Sequence, residues 1–225
     1  MFDVAVVGGG PVGACLGALL AGAADGARTL SVALLEPRLP QALPPDAPPD
    51  ARVVALSRAS EHVLRCAGAW PALAGPRLCP YERMRVWHES VAPGSDAVLV
   101  FDAADVGEPN LGYIVENRLL QGALLGAFTA AGGHLEPASL LALQSQQDAV
   151  ELRTTAGTLA ARLVVGADGA QSALRAAAGL SAQTHAYRQT AIVATVATER
   201  PHEATAWQRF MKRGTLAFLP LADGT

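Results

Sequence analysis

The sequence predicts an α/β protein, in which a Rossmann-like domain (a βαβ unit on a parallel sheet) is joined to part of an inserted antiparallel sheet. Three observations carry that prediction. Residues 8–13 read Gly-Gly-Gly-Pro-Val-Gly directly after an apolar stretch. Residues 163–169 form a second apolar run that ends in Gly166-Ala167-Asp168-Gly169. Residues 81–101 show the two-residue alternation of half-buried strands.

Taken in order, residues 2–7 (FDVAVV) have the near-continuous apolar character of a strand covered on both faces of a parallel sheet. Residues 11–24 predict a helix, with Pro11 at a first helical position, where its missing N–H costs nothing, and a stop near Gly26. Residues 29–36 predict the second strand of the βαβ unit. The 21 residues 4–24 carry no charge and reach the length of a membrane span. Gly8 to Pro11 interrupt that run, Asp3 precedes it, and it lacks a basic leader, so a buried strand followed by a buried helix is the better reading. Residues 37–49 (PRLPQALPPDAPP) predict an exposed loop, because proline at this density cannot sustain a helix or a ladder. A helix is expected over 57–67, ended by Gly68, and strands of the second sheet over 81–101. Residues 113–116 are extended, 117–131 helical up to Gly132, and 140–155 with 158–165 make a hairpin turning at Ala156-Gly157. A short helix over 172–178 precedes strand-like sequence at 190–198 and 205–221.

Composition narrows the function. With 51% hydrophobic residues, 225 residues are enough to bury a sizeable core. Seventeen basic and 20 acidic residues give a formal charge of -3 without a basic cluster, which argues against nucleic acid as a partner. Cys15, Cys66 and Cys79 are odd in number and widely spaced, and the five histidines show no HxxxH pair, so neither a disulfide framework nor a metal site is expected.

The chemistry-bearing motifs are those of a dinucleotide site. In the GxGxxG of residues 8–13, Gly8 permits the tight turn, Gly10 lets backbone approach a pyrophosphate, and Gly13 lets helix pack on strand. Pro11 and Val12 open the helix, whose N-terminal N–H groups face the phosphate charge. Glu36, at the end of the second strand, can accept hydrogen bonds from ribose hydroxyls. This unit alone does not separate NAD from FAD, since both present an adenosine ribose and a pyrophosphate. In the second motif, Gly166, Ala167 and Gly169 allow close backbone approach and Asp168 can accept from a ribose or ribityl hydroxyl; a tight turn with an Asp cap is the plainer alternative.

Together, GGGPVG, GADGAQSALR and their separation resemble the FAD-dependent aromatic hydroxylases. Residues 50–57 (DARVVALS), 80–87 (PYERMRVW), 113–118 (YIVENR) and 206–210 (AWQRF) narrow the resemblance to the hydroxylases of ubiquinone biosynthesis. The resemblance spans essentially the whole chain. It implies FAD as cofactor, with 1–80 and 113–180 forming the FAD-binding domain, and 81–112 and 181–225 belonging to the substrate domain. Arg52 and Arg118 match arginines that lie along FAD, and a guanidinium suits a pyrophosphate. Gln121 lies one turn beyond Arg118, and Trp207 and Phe210 stand in a strand where they line a pocket or pack in a core.

The resemblance further implies that NAD(P)H reduces FAD, that dioxygen adds to the reduced flavin, and that the flavin hydroperoxide hydroxylates a polyprenylated phenol. A cytoplasmic enzyme, peripheral to the inner membrane or to partner proteins of ubiquinone biosynthesis that present the lipid, would follow. Two rival readings are a flavin hydroxylase of a soluble aromatic compound and a non-catalytic dinucleotide-binding remnant. The family's third flavin motif does not occur, and the sequence ends at Ala222-Asp223-Gly224-Thr225, which reads as a turn between strands. A fragment lacking its C-terminal half is therefore expected.

Overall fold

The computed structural model describes residues 1–25, 28–44 and 46–224. In chain order the elements are β1 Phe2–Val7, α1 Pro11–Gly22, β2 Ala24–Asp25, β3 Arg28–Thr29, β4 Val32–Leu35, β5 Val53–Ser57, α2 Arg58–Cys66, α3 Trp70–Leu73, β6 Cys79–Tyr81, β7 Arg83–His88, β8 Leu99–Asp102, a 3-10 turn Ala103–Val106, β9 Gly112–Glu116, α4 Asn117–Ala130, β10 His134–Glu136, β11 Leu140–Ser145, β12 Val150–Thr154, β13 Gly157–Gly166, α5 Ala173–Ala177, β14 Thr205–Met211 and β15 Gly214–Phe218. They fall into two compact units. The first comprises Met1–Leu43, Leu64–Ala72 and Arg118–Ala191; the second comprises Pro44–Val63, Leu73–Asn117 and Ile192–Thr225.

The first unit is built on a six-stranded sheet of order β10-β4-β1-β13-β12-β11. β1 runs parallel to both β4 and β13, and β10 parallel to β4, while β11 and β12 are antiparallel additions. β13 changes partner along its length: Gly157 to Ala161 pair with β12, and Ala161 to Gly166 pair with β1. α1 turns Gly13, Ala14, Gly17, Ala18 and Ala21 inward. These residues are small because the helix lies close to the sheet: a Cβ on Gly17 would sit 3.1 Å from Leu34 Cδ1 and 3.2 Å from the Phe128 ring. α4 contributes the fully buried Leu124 and Phe128 to the same layer. Ala5, Val7, Ala33, Leu35, Leu152, Ala161 and Leu174 form a further core cluster.

The second unit holds a four-stranded sheet, β15-β14-β7-β8, and a three-stranded antiparallel sheet, β5-β9-β6. The larger one is antiparallel except for the ladder between β7 and β14, which is parallel.

Local details differ from expectation where a long-range partner decides. The first helix ends at Gly22, capped at Ala23, and not at residue 24; its expected stop, Gly26, lies outside the described residues, as do Pro45 of the proline-rich loop and Thr225 of the final turn. The expected strand 29–36 is interrupted at residues 30–31. Residues 140–155 are two strands, not one, because Gln146 N–H bonds back to the Ala149 carbonyl at 2.8 Å and closes a turn, making a three-stranded meander of the expected hairpin. β5, which runs straight into α2, was not anticipated; its ladder comes from β9, some sixty residues on. Residues 190–198 form no strand: they meet no ladder partner, and Ile192 is 91% exposed.

Candidate nucleotide site

The glycine-rich turn is laced to the C-terminal ends of three parallel strands. Gly8 N–H donates to the Leu35 carbonyl at 2.9 Å, and Ala167 N–H donates to the Val7 carbonyl at 2.7 Å. Residues 8–10 and 166–169 thereby meet beyond the carboxyl ends of β4, β1 and β13, where doubly wound sheets hold their ligands.

Each glycine has its own reason. Gly8 has φ +106°, and a Cβ there would lie 2.4 Å from the Ala167 carbonyl oxygen. A Cβ on Gly13 would lie 1.9 Å from the Gly8 carbonyl oxygen, so α1 reaches its distance from the turn only without a side chain. Gly10, the N-cap of α1, has an ordinary φ of -64° and nothing within 4 Å of an added Cβ. No side chain caps that helix, and Val12 is 76% exposed. Here the fold has no need of glycine: the space beside the Gly10 Cα is open, and no N-cap side chain accepts the first-turn N–H groups. Those donors and the helix dipole fit a diphosphate.

The turn is held from both sides. Glu36 Oε2 accepts the Gly9 N–H at 2.8 Å and Oε1 accepts the Arg38 N–H at 2.9 Å. A carboxylate oxygen has a second lone pair, so Glu36 keeps acceptor capacity for a ribose. On the other side, Gln121 Nε2 donates to the Gly9 carbonyl at 2.9 Å. Its spacing one turn after Arg118 placed Gln121 on a helix face, and only the tertiary structure shows what that face meets. Arg118 itself is half-buried in the first turn of α4.

Asp168 Oδ2 accepts the Leu174 N–H at 3.1 Å, and Oδ1 accepts the Ser172 hydroxyl, which in turn caps α5 by accepting the Arg175 N–H at 2.9 Å. Burial would raise the Asp168 pKa, but the bonds from Ser172 and from backbone N–H groups outweigh it and hold the carboxyl below its usual value. The aspartate is thus an anchored anion that sets the start of α5, with lone pairs left for a hydroxyl. Gly169 takes φ +83°, and Gly166 is packed against Leu174 at 3.1 Å from its would-be Cβ.

Arg52 belongs to the second unit, where its side chain is exposed and its carbonyl accepts the Asn117 N–H at 2.9 Å. That unit also contains a charge pair that local sequence did not signal. Arg77 Nε and Nη2 grip the buried Glu116 at 2.7 and 2.9 Å, and Arg77 Nη1 donates to the Ala47 carbonyl at 2.8 Å. Glu116 also accepts the Asp50 N–H at 2.8 Å, so the pair fastens the end of the proline-rich loop.

A cavity of about 970 Å³, lined by Asp3, Val4, Arg162 and the Ser145–Val150 turn, lies at the N-terminal ends of β1 and the β1-paired part of β13, away from the glycine turn. Among the described residues no group of three or more His, Cys, Asp or Glu is placed to hold a metal ion, and no helix is long and apolar enough to cross a membrane.

No protein-family model matches the chain. Among characterised proteins, it is 38% identical to 3-demethoxyubiquinol 3-hydroxylase of Escherichia coli, over 98% of this chain and 55% of the relative. It is 40% identical to the ubiquinone hydroxylase UbiL of Rhodospirillum rubrum, over 97% and 49% respectively. It is 33% identical to the mitochondrial ubiquinone biosynthesis monooxygenase COQ6 of Xenopus tropicalis, over 99% and 50%. The chain therefore spans about half the length of the curated relatives it matches. Among solved structures, Pseudomonas aeruginosa PqsL in complex with 2-aminobenzoylacetate superposes with a TM-score of 0.73 at 20% identity, covering 98% of this chain and 57% of that one. Aklavinone-11 hydroxylase with FAD and aklavinone gives 0.56 at 22% identity, covering 79% and 35%. At these identities the superpositions establish the fold, which this chain shares with flavin-dependent monooxygenases.

Proposed function

From its homology over nearly the whole chain to the hydroxylases of ubiquinone biosynthesis, we propose that this polypeptide binds FAD and supplies the nucleotide-binding portion of such a hydroxylase. The observation that carries the proposal is Gly10: a glycine the fold does not require, at an uncapped helix N-terminus, in a motif whose other glycines are all sterically enforced.

The N–H groups at the start of α1, behind Gly10, Pro11 and Val12, hold the FAD pyrophosphate. Glu36 accepts from the adenosine ribose while its bond to Gly9 keeps the turn in place. Arg118 and Arg52 would add positive charge for the phosphates, and Asp168, with Gly166, Ala167 and Gly169, would offer an ionised acceptor to the ribityl hydroxyls. Bound FAD, reduced by NAD(P)H, supplies the oxygen-activating chemistry with which one atom of dioxygen is transferred to an electron-rich phenol. The protein's part is to orient the ring and exclude water. For the whole protein the substrate is a polyprenylated phenol, reached by peripheral contact with the membrane or with proteins that present the lipid, on its cytoplasmic side.

Purified protein tests the first step. A yellow preparation with flavin near one equivalent is expected, and a colourless one that takes up no added FAD would overturn FAD binding. Oxidation of NADPH stimulated by a prenylated phenol, and not by a simple hydroxybenzoate, is expected of the complete enzyme; the reverse would point to a soluble aromatic substrate.

A further inference from the structure

One face of the four-stranded sheet carries a cation and aromatic cluster that the flavin reading does not use. The parallel register sets Arg85 beside Trp207 and Trp87 beside Arg209, so the four side chains alternate on the same face. The Trp87 and Trp207 rings meet edge-on with centroids 6.2 Å apart, and the Arg85 guanidinium lies 5.3 Å from the Trp207 ring centroid.

Neither arginine is neutralised: among the described residues no carboxylate forms an ion pair with Arg85 or Arg209. Among the described residues their hydrogen bonds are long ones to main-chain carbonyls, Arg85 Nη2 to Pro93 at 3.4 Å and Arg209 Nη2 to Glu89 at 3.3 Å. The carboxylate of Glu89 is turned to the Lys212 N–H, at 3.1 Å. Three N–H donors of the cluster, Arg85 Nε, Trp87 Nε1 and Arg209 Nε, are buried and without a partner. Buried donors are satisfied in nearly all native structures, and an unpaired one is costly, so three on one patch call for an acceptor. Two uncompensated guanidiniums make that acceptor an anion. A guanidinium offers Nε and Nη as a planar fork that matches a carboxylate, and indole rings stack with another ring.

We propose that this face binds an aromatic carboxylate, with the carboxylate taken by Arg85 and Arg209 and the ring set against Trp87 and Trp207. The four residues belong to the second unit and none of them is assigned to FAD, so either assignment can fail without the other.

The test is calorimetric titration of the protein with 4-hydroxybenzoate, with its methyl ester, with phenol and with inorganic phosphate, with tryptophan fluorescence followed in parallel and FAD binding measured separately. The expected result is saturable binding of 4-hydroxybenzoate that perturbs tryptophan emission and is at least about tenfold tighter than that of the ester, phenol or phosphate. Arg85→Gln and Arg209→Gln should each weaken it by about tenfold or more while leaving FAD binding unchanged. Equal affinity for acid and ester would remove the arginines' role, equal affinity for phosphate would reduce the site to a general anion site, and no binding would overturn the proposal. The ester comparison uses the unaltered protein and so holds even if a variant fails to fold.

Discussion

Replacing Gly10 by alanine separates what the glycine turn does for the fold from what it does for a ligand. The backbone there, φ -64° and ψ 175°, suits alanine, and the new methyl meets nothing within 4 Å. Alanine is a poorer N-cap than glycine by several tenths of a kcal/mol. Against this, Gly→Ala at a compatible site stabilises by about 0.4–1 kcal/mol through the unfolded chain. The two effects offset, and the melting temperature should stay within a degree or two of the parent. FAD binding should respond quite differently. A methyl in the space where the pyrophosphate approaches displaces it from the N–H groups of α1, and losing one charge-assisted hydrogen bond costs about 1.5–3 kcal/mol. That is a fall in affinity of roughly 10- to 150-fold. Fluorescence titration of apoprotein with FAD, alongside thermal denaturation, measures both. Affinity within about twofold of the parent, with an unchanged melting temperature, would refute the argument that the open space at Gly10 receives the phosphates.

Gly13→Ala should show the opposite balance, because its Cβ would fall 1.9 Å from the Gly8 carbonyl oxygen; overpacking of this kind costs about 1–3 kcal/mol, read as a lower urea midpoint even without FAD. Gln121→Leu removes the donor to the Gly9 carbonyl and should lower stability by about 1 kcal/mol, with faster FAD dissociation in stopped flow. Arg77→Met leaves the buried Glu116 without its countercharge and should cost about 3–5 kcal/mol, of which Arg77→Met with Glu116→Leu regains a large part in a double-mutant cycle by urea unfolding. Asp168 has a depressed folded-state pKa, so its ionised form stabilises the native state above the unfolded pKa of about 4, and that contribution is lost as pH falls through the lower folded value. The stability gap between parent and Asp168→Asn should therefore be constant from pH 7 to about pH 5 and shrink below about pH 4.

What was legible in the sequence was local. GGGPVG after FDVAVV announces a strand, a turn and a helix because Gly13 answers Gly8 within the motif and Gly9 answers Glu36 at the end of the next strand. GADG followed by residues 172–178 signals a strand end and a short helix for the same reason. What was not legible depends on partners far along the chain. Val53–Ser57 becomes a strand because Gly112–Glu116 lies alongside it, while the equally apolar stretch at 190–198 finds no ladder and stays irregular. Arg77 and Glu116 are 39 residues apart and share no pattern. Gln121 sits at a suitable helical spacing, yet nothing local distinguishes a side chain that reaches a carbonyl from one that reaches water.

The partner change within β13 has a consequence for the nascent chain. β1 is synthesised well before β13, and one of its two edges is covered only by residues 161–166. At about 5–20 residues per second, ribosomal synthesis leaves that edge uncovered for roughly 8–30 s. During this interval β1 carries an apolar strand with a free ladder, the template on which chains stick to one another. β11, β12 and β13, in contrast, are joined by short turns and assemble as soon as they emerge. The meander therefore arrives as a finished plate whose last strand closes the sheet over β1, and the yield of native protein should fall when translation is slowed between these two segments.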